Sequence, residues 1–410
     1  MFPQTNYLEK LKTWQDQHVI KVITGIRRCG KSTLLELFQQ QLIQEGVEKK
    51  RIISLNFEDL KNEDLLDYRK LYRYLYSGLD QNQMTYIFLD EIQLVPDFQK
   101  AVDSLYIQNN VDLYITGSNA WLLSGELATL LSGRYIEINM LPLSFADYYH
   151  RYSNKAKDVA FTEYMRWGGF PFLVLSEQPE KLAEDYLEGI YNTILVKDIE
   201  LRQKKRETDP NKRKINDIPL LKNIAKFLAN SIGNPISDKK ASDFIISTGR
   251  KISQNTVSDY IDALIEPYVF YPADRFDVIG KQLLKSNRKL YIADPGLRNH
   301  IVPRSGYDLG FVLENIVFLE LRRRGYQVNI GKIGELEIDF IAQKKSVLNY
   351  FQVTASMTEK SSFDREMASL LAVRDNYPKT ILTLDRLTSG NYDGIVVENA
   401  VDWLLGDCNL

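Results

Sequence analysis

HVIKVITG, residues 18–25, runs directly into GIRRCGKST, residues 25–33, and this join decides the fold. The first stretch is apolar, rich in β-branched residues and closed by Gly25, which reads as a short buried strand. GIRRCGKST fits the spacing G-x-x-x-x-G-K-[ST], and LLELFQQQLIQEG behind it reads as an amphipathic helix stopped by Gly46. Strand, loop and helix in that order are the context in which this spacing makes a phosphate-binding loop. The glycines let backbone N–H groups turn around phosphate oxygens, and the helix offers the positive end of its dipole. The binding loop is therefore expected to comprise Gly25, Ile26, Arg27, Arg28, Cys29, Gly30, Lys31, Ser32 and Thr33. Lys31 is expected on the β- and γ-phosphates of a nucleotide and Ser32 on Mg²⁺. A glycine-rich turn with an incidental lysine is the competing reading.

Working outward, RIISLNF (51–57), TYIFLDE (85–91), VDLYITGSN (111–119) and RYIEINMLPL (134–143) read as further strands separated by helical stretches. That alternation predicts an α/β fold with a parallel, doubly wound sheet. TYIFL places Asp90 at the carboxyl end of its strand, where open α/β sheets bind ligands. Asp90 is the candidate to hold Mg²⁺ through water, and Glu91 to orient the attacking water. Otherwise Asp90 caps a helix and Glu91 is a surface charge. Ser118 and Asn119, ending the next strand, are candidate sensors of the γ-phosphate, although both are also ordinary strand-ending residues. Arg134 is a candidate transition-state arginine, acting within its own subunit or on a neighbour, with a strand-edge ion pair as the alternative.

The chain has 410 residues, which predicts two to four domains. Its 44% hydrophobic and 26% charged residues exclude disordered, collagen-like and fibrous classes. Fifty-two basic against 54 acidic residues leave a net charge of -2, so nucleic-acid binding has to come from a local patch. Two cysteines, Cys29 and Cys408, and three histidines argue against a disulfide framework or a zinc site and for a reducing, cytoplasmic setting. Cys29 is expected to be a small loop residue and not a redox switch. No signal-like apolar core opens the sequence and no long uncharged apolar run interrupts it, so no membrane association is expected. The 24 tyrosines are scattered through core-like runs and read as packing residues.

Beyond Ser144 the pattern turns helical, and KKRETDPNKRKIND, from Lys204, reads as a solvated linker or exposed loop. From Pro219 to Asp294, three helices and two strands match a winged helix-turn-helix in outline. SQNTVSDYIDALI would be its reading helix, with Gln254, Asn255 and Ser258 as candidate DNA contacts. Asp259, Asp262 and Glu266 on the same helix oppose phosphate and leave a protein-contact module open. Arg250, Lys251, the segment Lys204 to Lys214, and Arg322, Arg323 and Arg324 are the compensating basic groups. A second mixed α/β unit follows from Phe311. The expected division is a P-loop domain over 1–143, a helical lid over 144–205, a winged-helix-like domain over 206–300 and an α/β domain over 301–410.

GIRRCGKST, TYIFLDEIQ, ITGSN, LSGRY, LPLSF and GGFP, in this order, resemble the bacterial and archaeal AAA-type ATPases that carry a C-terminal domain of unknown function. The resemblance implies a five-stranded ASCE sheet whose sensor strand lies between the phosphate-loop and acidic strands. It implies ATP as the nucleotide, with no N-K-x-D motif of GTPases in the sequence, and Lys31, Ser32, Asp90, Glu91 and Ser118 or Asn119 in the roles above, with Arg134 a candidate finger. It also implies that the final unit is similar to a PD-(D/E)xK nuclease fold, Glu314, Asp339 and YFQVTAS occupying the matching places. There Gln352 and Thr354 replace a carboxylate and an ammonium, so this nuclease-like site is expected to be degenerate. The expected activity is Mg²⁺-dependent ATP hydrolysis, with the hypothesis that nucleotide binding or cleavage rearranges the C-terminal domains, and with DNA or protein partners and a homo-oligomer as open options. A nucleotide-gated protein-interaction switch and an ATP-dependent nuclease are the alternatives.

Overall fold

The computed structural model describes residues 5–118, 131, 133–194, 217–302 and 309–406. By its internal contacts the chain divides into two units, Met1–Pro142 with Glu266–Tyr268, and Leu143–Ile265 with Val269–Leu410.

In the first unit, β1 (Ile20–Thr24), β2 (Ile52–Asn56), β3 (Thr85–Asp90), β4 (Val111–Gly117) and β5 (Tyr135–Asn139) form one sheet in the order β2-β3-β4-β1-β5. Every pairing is parallel. The strand ending in Gly117 lies between the phosphate-loop strand and the Asp90 strand, the order expected of the ASCE sheet. β1, β3 and β4 are buried along their whole length because both sheet faces are covered, which is why they read as nearly unbroken apolar runs. Side chains alternate between the faces. Phe88 and Tyr114 stack beside Phe38 of the helix Lys31–Gln44 on one side. Ile87, Leu89, Leu113 and Ile115 meet Leu71, Leu75, Val102 and Leu105 on the other. The helical stretch between β2 and β3 includes Tyr68–Ser77, which Asp67 caps by accepting from the N–H groups of Arg69 and Lys70.

The second unit begins with helices Phe145–Arg151, Lys157–Trp167, Pro171–Leu175 and Pro179–Thr193. Helices Ile218–Asn230, Asp238–Ser247 and Gln254–Ile265 follow, and then the hairpin of β6 (Phe270–Asp277) and β7 (Gln282–Ile292). This hairpin does not end a separate module. It is the edge of an eight-stranded sheet completed by β8 (Gln327–Ile333), β9 (Leu336–Lys344), β10 (Val347–Thr354), β11 (Lys379–Thr383), β12 (Gly390–Tyr392) and β13 (Ile395–Asn399). The order is β12-β13-β11-β10-β9-β8-β6-β7, with β6 parallel to β8 from Arg275 opposite Ile330 to Asp277 opposite Lys332. The basic segment Lys204 to Lys214 lies outside the described residues.

GGFP has a structural task within this unit. Gly168, at φ 79°, ends the helix Lys157–Trp167, and a Cβ there would come within 2.1 Å of Asp294 Oδ1. The Gly169 N–H donates to Asp294 Oδ2 at 2.6 Å, while Asp294 Oδ1 accepts from the Leu297 N–H at 2.9 Å and caps the helix Pro295–Ile301. One carboxylate thus ties together two segments far apart in the chain. Burial pushes Asp294 up to about 6 from the ordinary 3.8, with the N–H groups of Gly169, Leu297 and Gly296 pulling the other way. The folded state therefore holds this proton more tightly than the unfolded state, and the associated stability is present below pH 3.8 and lost as pH rises through about 6. About 3 kcal/mol is expected to disappear over that interval. Asp294→Asn should remove this slope from urea melts taken between about pH 4 and pH 7. A slope unchanged in the variant would assign the pH dependence elsewhere.

Candidate active site

The phosphate loop leaves β1 at Thr24, and its shape depends on two glycines. Gly30, at φ 106°, is the left-handed cap of the helix Lys31–Gln44. Gly25, at φ 144°, lies so close to the chain leaving β5 that a Cβ would sit 2.1 Å from the Met140 carbonyl oxygen. Arg28 also takes a positive φ of 62°, a conformation that costs energy in a side-chain-bearing residue. Arg27 reaches sideways to Glu58 at 2.6 Å. Cys29 is fully buried, and burial pushes its thiol up, which makes it a packing residue and a poor nucleophile. Lys31 is buried as well, and its ammonium donates to the carbonyls of Gly25 at 3.1 Å and Ile26 at 3.4 Å.

Asp90 ends β3 beside the loop, and Glu91 follows it. Asp90 is buried, and burial raises its pKa, while hydrogen bonds from Thr116 and Ser32 act in the opposite direction. Asn56, the last residue of β2, donates to Asp90 Oδ2 at 3.0 Å, and the Thr116 hydroxyl donates to Oδ1. Glu91 stands at φ 52°, a left-handed kink that turns its side chain toward the loop. Glu91 Oε1 is 3.9 Å from Lys31 Nζ, and Oε2 accepts from the Ser118 hydroxyl at 3.2 Å and from the Gln93 amide. The Glu91 N–H in turn donates to Thr116 Oγ1 at 2.9 Å. One cation, two carboxylates and three hydroxyls therefore converge where β1, β3 and β4 end. Asn56 and Gln93 were not legible as site residues, although Asn56 is a polar residue ending an apolar strand and pairs in register with Asp90.

Arg134 is not part of this convergence within its own chain. β5 runs parallel to β1 with Tyr135 opposite Ile20 and Asn139 opposite Thr24, so Arg134 enters at the amino edge while the loop leaves at the carboxyl edge. The separation is roughly 15 Å at 3.3 Å per residue. Its guanidinium bonds to Asp103 and lies 5.4 Å from the Tyr106 ring centre. Asn119 lies outside the described residues.

Of the nuclease-like residues, Glu314 and Asp339 come together, but around an unforeseen partner, Lys289 of β7, at 3.1 and 3.8 Å. Gln352 Oε1 accepts the Asp339 N–H at 3.2 Å. Thr354 instead donates to the Ser356 carbonyl at 3.1 Å. Among the described residues no group of three or more His, Cys, Asp or Glu side chains is placed to hold a metal ion. No helix among them is long and apolar enough to cross a membrane.

Comparison with known proteins fits this geometry. Residues 17–149 match a family described as an AAA domain, and residues 158–308 match one described as a domain of unknown function (DUF8612). An uncharacterised protein of Haemophilus influenzae is 39% identical over 410 residues, covering 99% of each chain. The uncharacterised protein MJ1544 of Methanocaldococcus jannaschii is 33% identical over 341 residues, 78% of this chain and 71% of its own. Among solved structures, the Walker-type ATPase PABY2304 of Pyrococcus abyssi shares the fold at a TM-score of 0.51 and 14% identity, over 73% of this chain and 96% of that one. With the glycine-shaped loop, the sheet order and these relatives together, the chain belongs to the family of the Haemophilus influenzae and Methanocaldococcus jannaschii proteins, and its N-terminal part is a P-loop domain of the AAA ATPase type.

Proposed function

We propose that this protein binds ATP with Mg²⁺ and hydrolyses the β–γ phosphoanhydride, and that nucleotide state is communicated to the residues beyond 143. The observation that supports it is the convergence of Lys31, Asp90, Glu91 and Ser118 at one sheet edge, with Lys31 Nζ 3.9 Å from Glu91 Oε1. The donors suit Mg²⁺, which takes oxygen ligands and is commonly held by one or two carboxylates together with substrate phosphates. Ser32 and Asp90, already joined by a hydrogen bond, are the residues to hold it. When bound, Mg²⁺ neutralises charge on the β- and γ-oxygens.

The remaining roles follow from the side chains. Lys31 is held by two loop carbonyls, and the phosphates of ATP would offer its ammonium stronger, charge-assisted partners. Glu91 orients a water toward the γ-phosphorus and accepts its proton as the bond to the bridging oxygen breaks, giving ADP and phosphate. Ser118 is our candidate to register whether the γ-phosphate is present, a reading supported by its bond to Glu91. We assign Arg134 no role on its own chain's nucleotide; a role on a neighbouring subunit remains its proposed one. Phosphate release from Mg·ATP by the purified chain, abolished by EDTA, is the expected result. An absence of both turnover and any ATP-induced rise in Tm would sink the reading.

One observation favours DNA as a partner. The first turn of Gln254–Ile265 exposes Gln254 and Asn255 beside exposed Lys251, with partly exposed Asp259 one turn and exposed Asp262 two turns further on. Arg250 is engaged with Asp217 at 2.6 Å. Duplex DNA should therefore stimulate ATPase activity, with binding weakened about tenfold or more between 50 and 200 mM salt. Activity indifferent to DNA at low salt would favour a protein partner for this unit.

A further inference from the structure

β7 carries Lys289 and, two residues on and therefore on the same face, Tyr291. Both side chains are almost wholly buried and point at Glu314 of the helix Leu309–Arg323. Lys289 Nζ lies 3.1 Å from Glu314 Oε1, 2.7 Å from Glu337 Oε1 and 3.8 Å from Asp339 Oδ1, so three carboxylates share one ammonium. The Tyr291 hydroxyl donates to Glu314 Oε1 at 2.6 Å, and Asp339 Oδ2 accepts the Val353 N–H at 2.8 Å. Next to Glu314, Asn315 pins the helix to the end of β7 by pairing with both the N–H and the carbonyl of Ile292, at 2.8 and 2.9 Å.

An isolated ammonium or carboxylate at this depth is expensive, and it persists only when paired and hydrogen-bonded. Here burial works against the Lys289 ammonium, yet the charges of Glu314, Asp339 and Glu337 outweigh it and hold its pKa above the usual lysine value. Conversely, three acids around one cation leave an excess of negative charge, and burial drives Asp339 and Glu314 upward. Such an excess of negative charge attracts a cation, and with the ammonium standing among their oxygens the three acids are not placed to hold a metal ion.

We propose that Lys289 is the resident cation of the Glu314, Glu337 and Asp339 cluster, occupying the place of a divalent metal, so that the C-terminal unit is a metal-independent fold and not a phosphodiesterase. A lysine delivered by the hairpin strand thus does more than replace the missing ammonium at Thr354. It closes the cluster to metal while neutralising it. The inference is independent of the ATPase reading, since none of these residues belongs to the phosphate-loop site.

Mn²⁺ is the probe, followed by its electron paramagnetic resonance signal and by thermal melting of the full chain without nucleotide. The wild type should show no Mn²⁺ binding that Asp339→Asn abolishes. Lys289→Met keeps the side-chain length and removes the charge. It should melt roughly 10 °C lower and gain about one equivalent of Mn²⁺ that restores part of the loss and is itself lost in Lys289→Met with Asp339→Asn. Should Lys289→Met fail to fold, the comparison of wild type with Asp339→Asn still decides. Asp339-dependent Mn²⁺ binding, or Mn²⁺-dependent DNA cleavage lost in Asp339→Asn, would overturn the proposal. So would a Lys289→Met protein as stable as wild type and unresponsive to Mn²⁺.

Discussion

Glu91→Gln should bind ATP within about threefold of wild type and yet turn it over about 10²–10⁴ times more slowly. The amide is nearly isosteric and keeps an oxygen to accept from the Ser118 hydroxyl, although the charge that faces Lys31 at 3.9 Å is lost. What disappears is a group able to take a proton from water. Glu91 has the geometry for that task because its positive φ carries the side chain off the line of β3 toward the loop, where the Thr116 hydroxyl anchors its own N–H. The split between retained affinity and lost turnover separates this role from a structural one, since a merely supporting carboxylate would change both together. Single-turnover phosphate release beside a nucleotide-binding titration reads the two quantities. Wild-type turnover in the variant would remove Glu91 from the chemistry.

Lys31→Ala should lose binding itself. The ammonium is the one cation brought into the centre of the loop among the described residues, and charge-assisted hydrogen bonds to phosphate are worth about 1.5–3 kcal/mol each. Two such bonds correspond to an affinity lower by roughly 10²–10⁴-fold. The truncation also frees the carbonyls of two buried residues, Gly25 and Ile26, so a modest loss of Tm should accompany the loss of binding. A calorimetric titration with ATP and a melting curve of the same sample separate lost binding from lost structure. An affinity near wild type would mean that the backbone cradle alone holds the phosphates.

The N-terminal unit was legible because its signals are local. Strands buried on both faces show themselves as apolar runs closed by glycine or a polar residue, and the phosphate loop is continuous in sequence. Asp90 could be placed at a strand end for the same reason. Its partners could not, since Asn56 and Thr116 reach it only once β2, β3 and β4 are neighbours, which is a property of strand order. Arg134 illustrates the same limit. Its residue type suits a transition-state role, but the register of β5 against β1 puts it at the opposite edge. Lys289 was the least legible, because a lysine near the end of a hairpin strand looks like a solvated residue until the helix carrying Glu314 is folded over it. The winged-helix outline rested on element order alone, which does not reveal that the hairpin continues into another sheet.

That continuity bears on how the polypeptide can be divided, in the laboratory or in inheritance. A fragment ending near residue 300 would strip β6 of its partner β8 and leave Arg275, Phe276 and Asp277 as an unpaired edge, open to pairing with another chain. The matched domain of unknown function ends at residue 308, before the sheet it has begun is complete. The smallest portable cassette therefore has to carry the hairpin and all the strands after it together, and a library of fragments screened for solubility should show no survivor cut between β7 and β8.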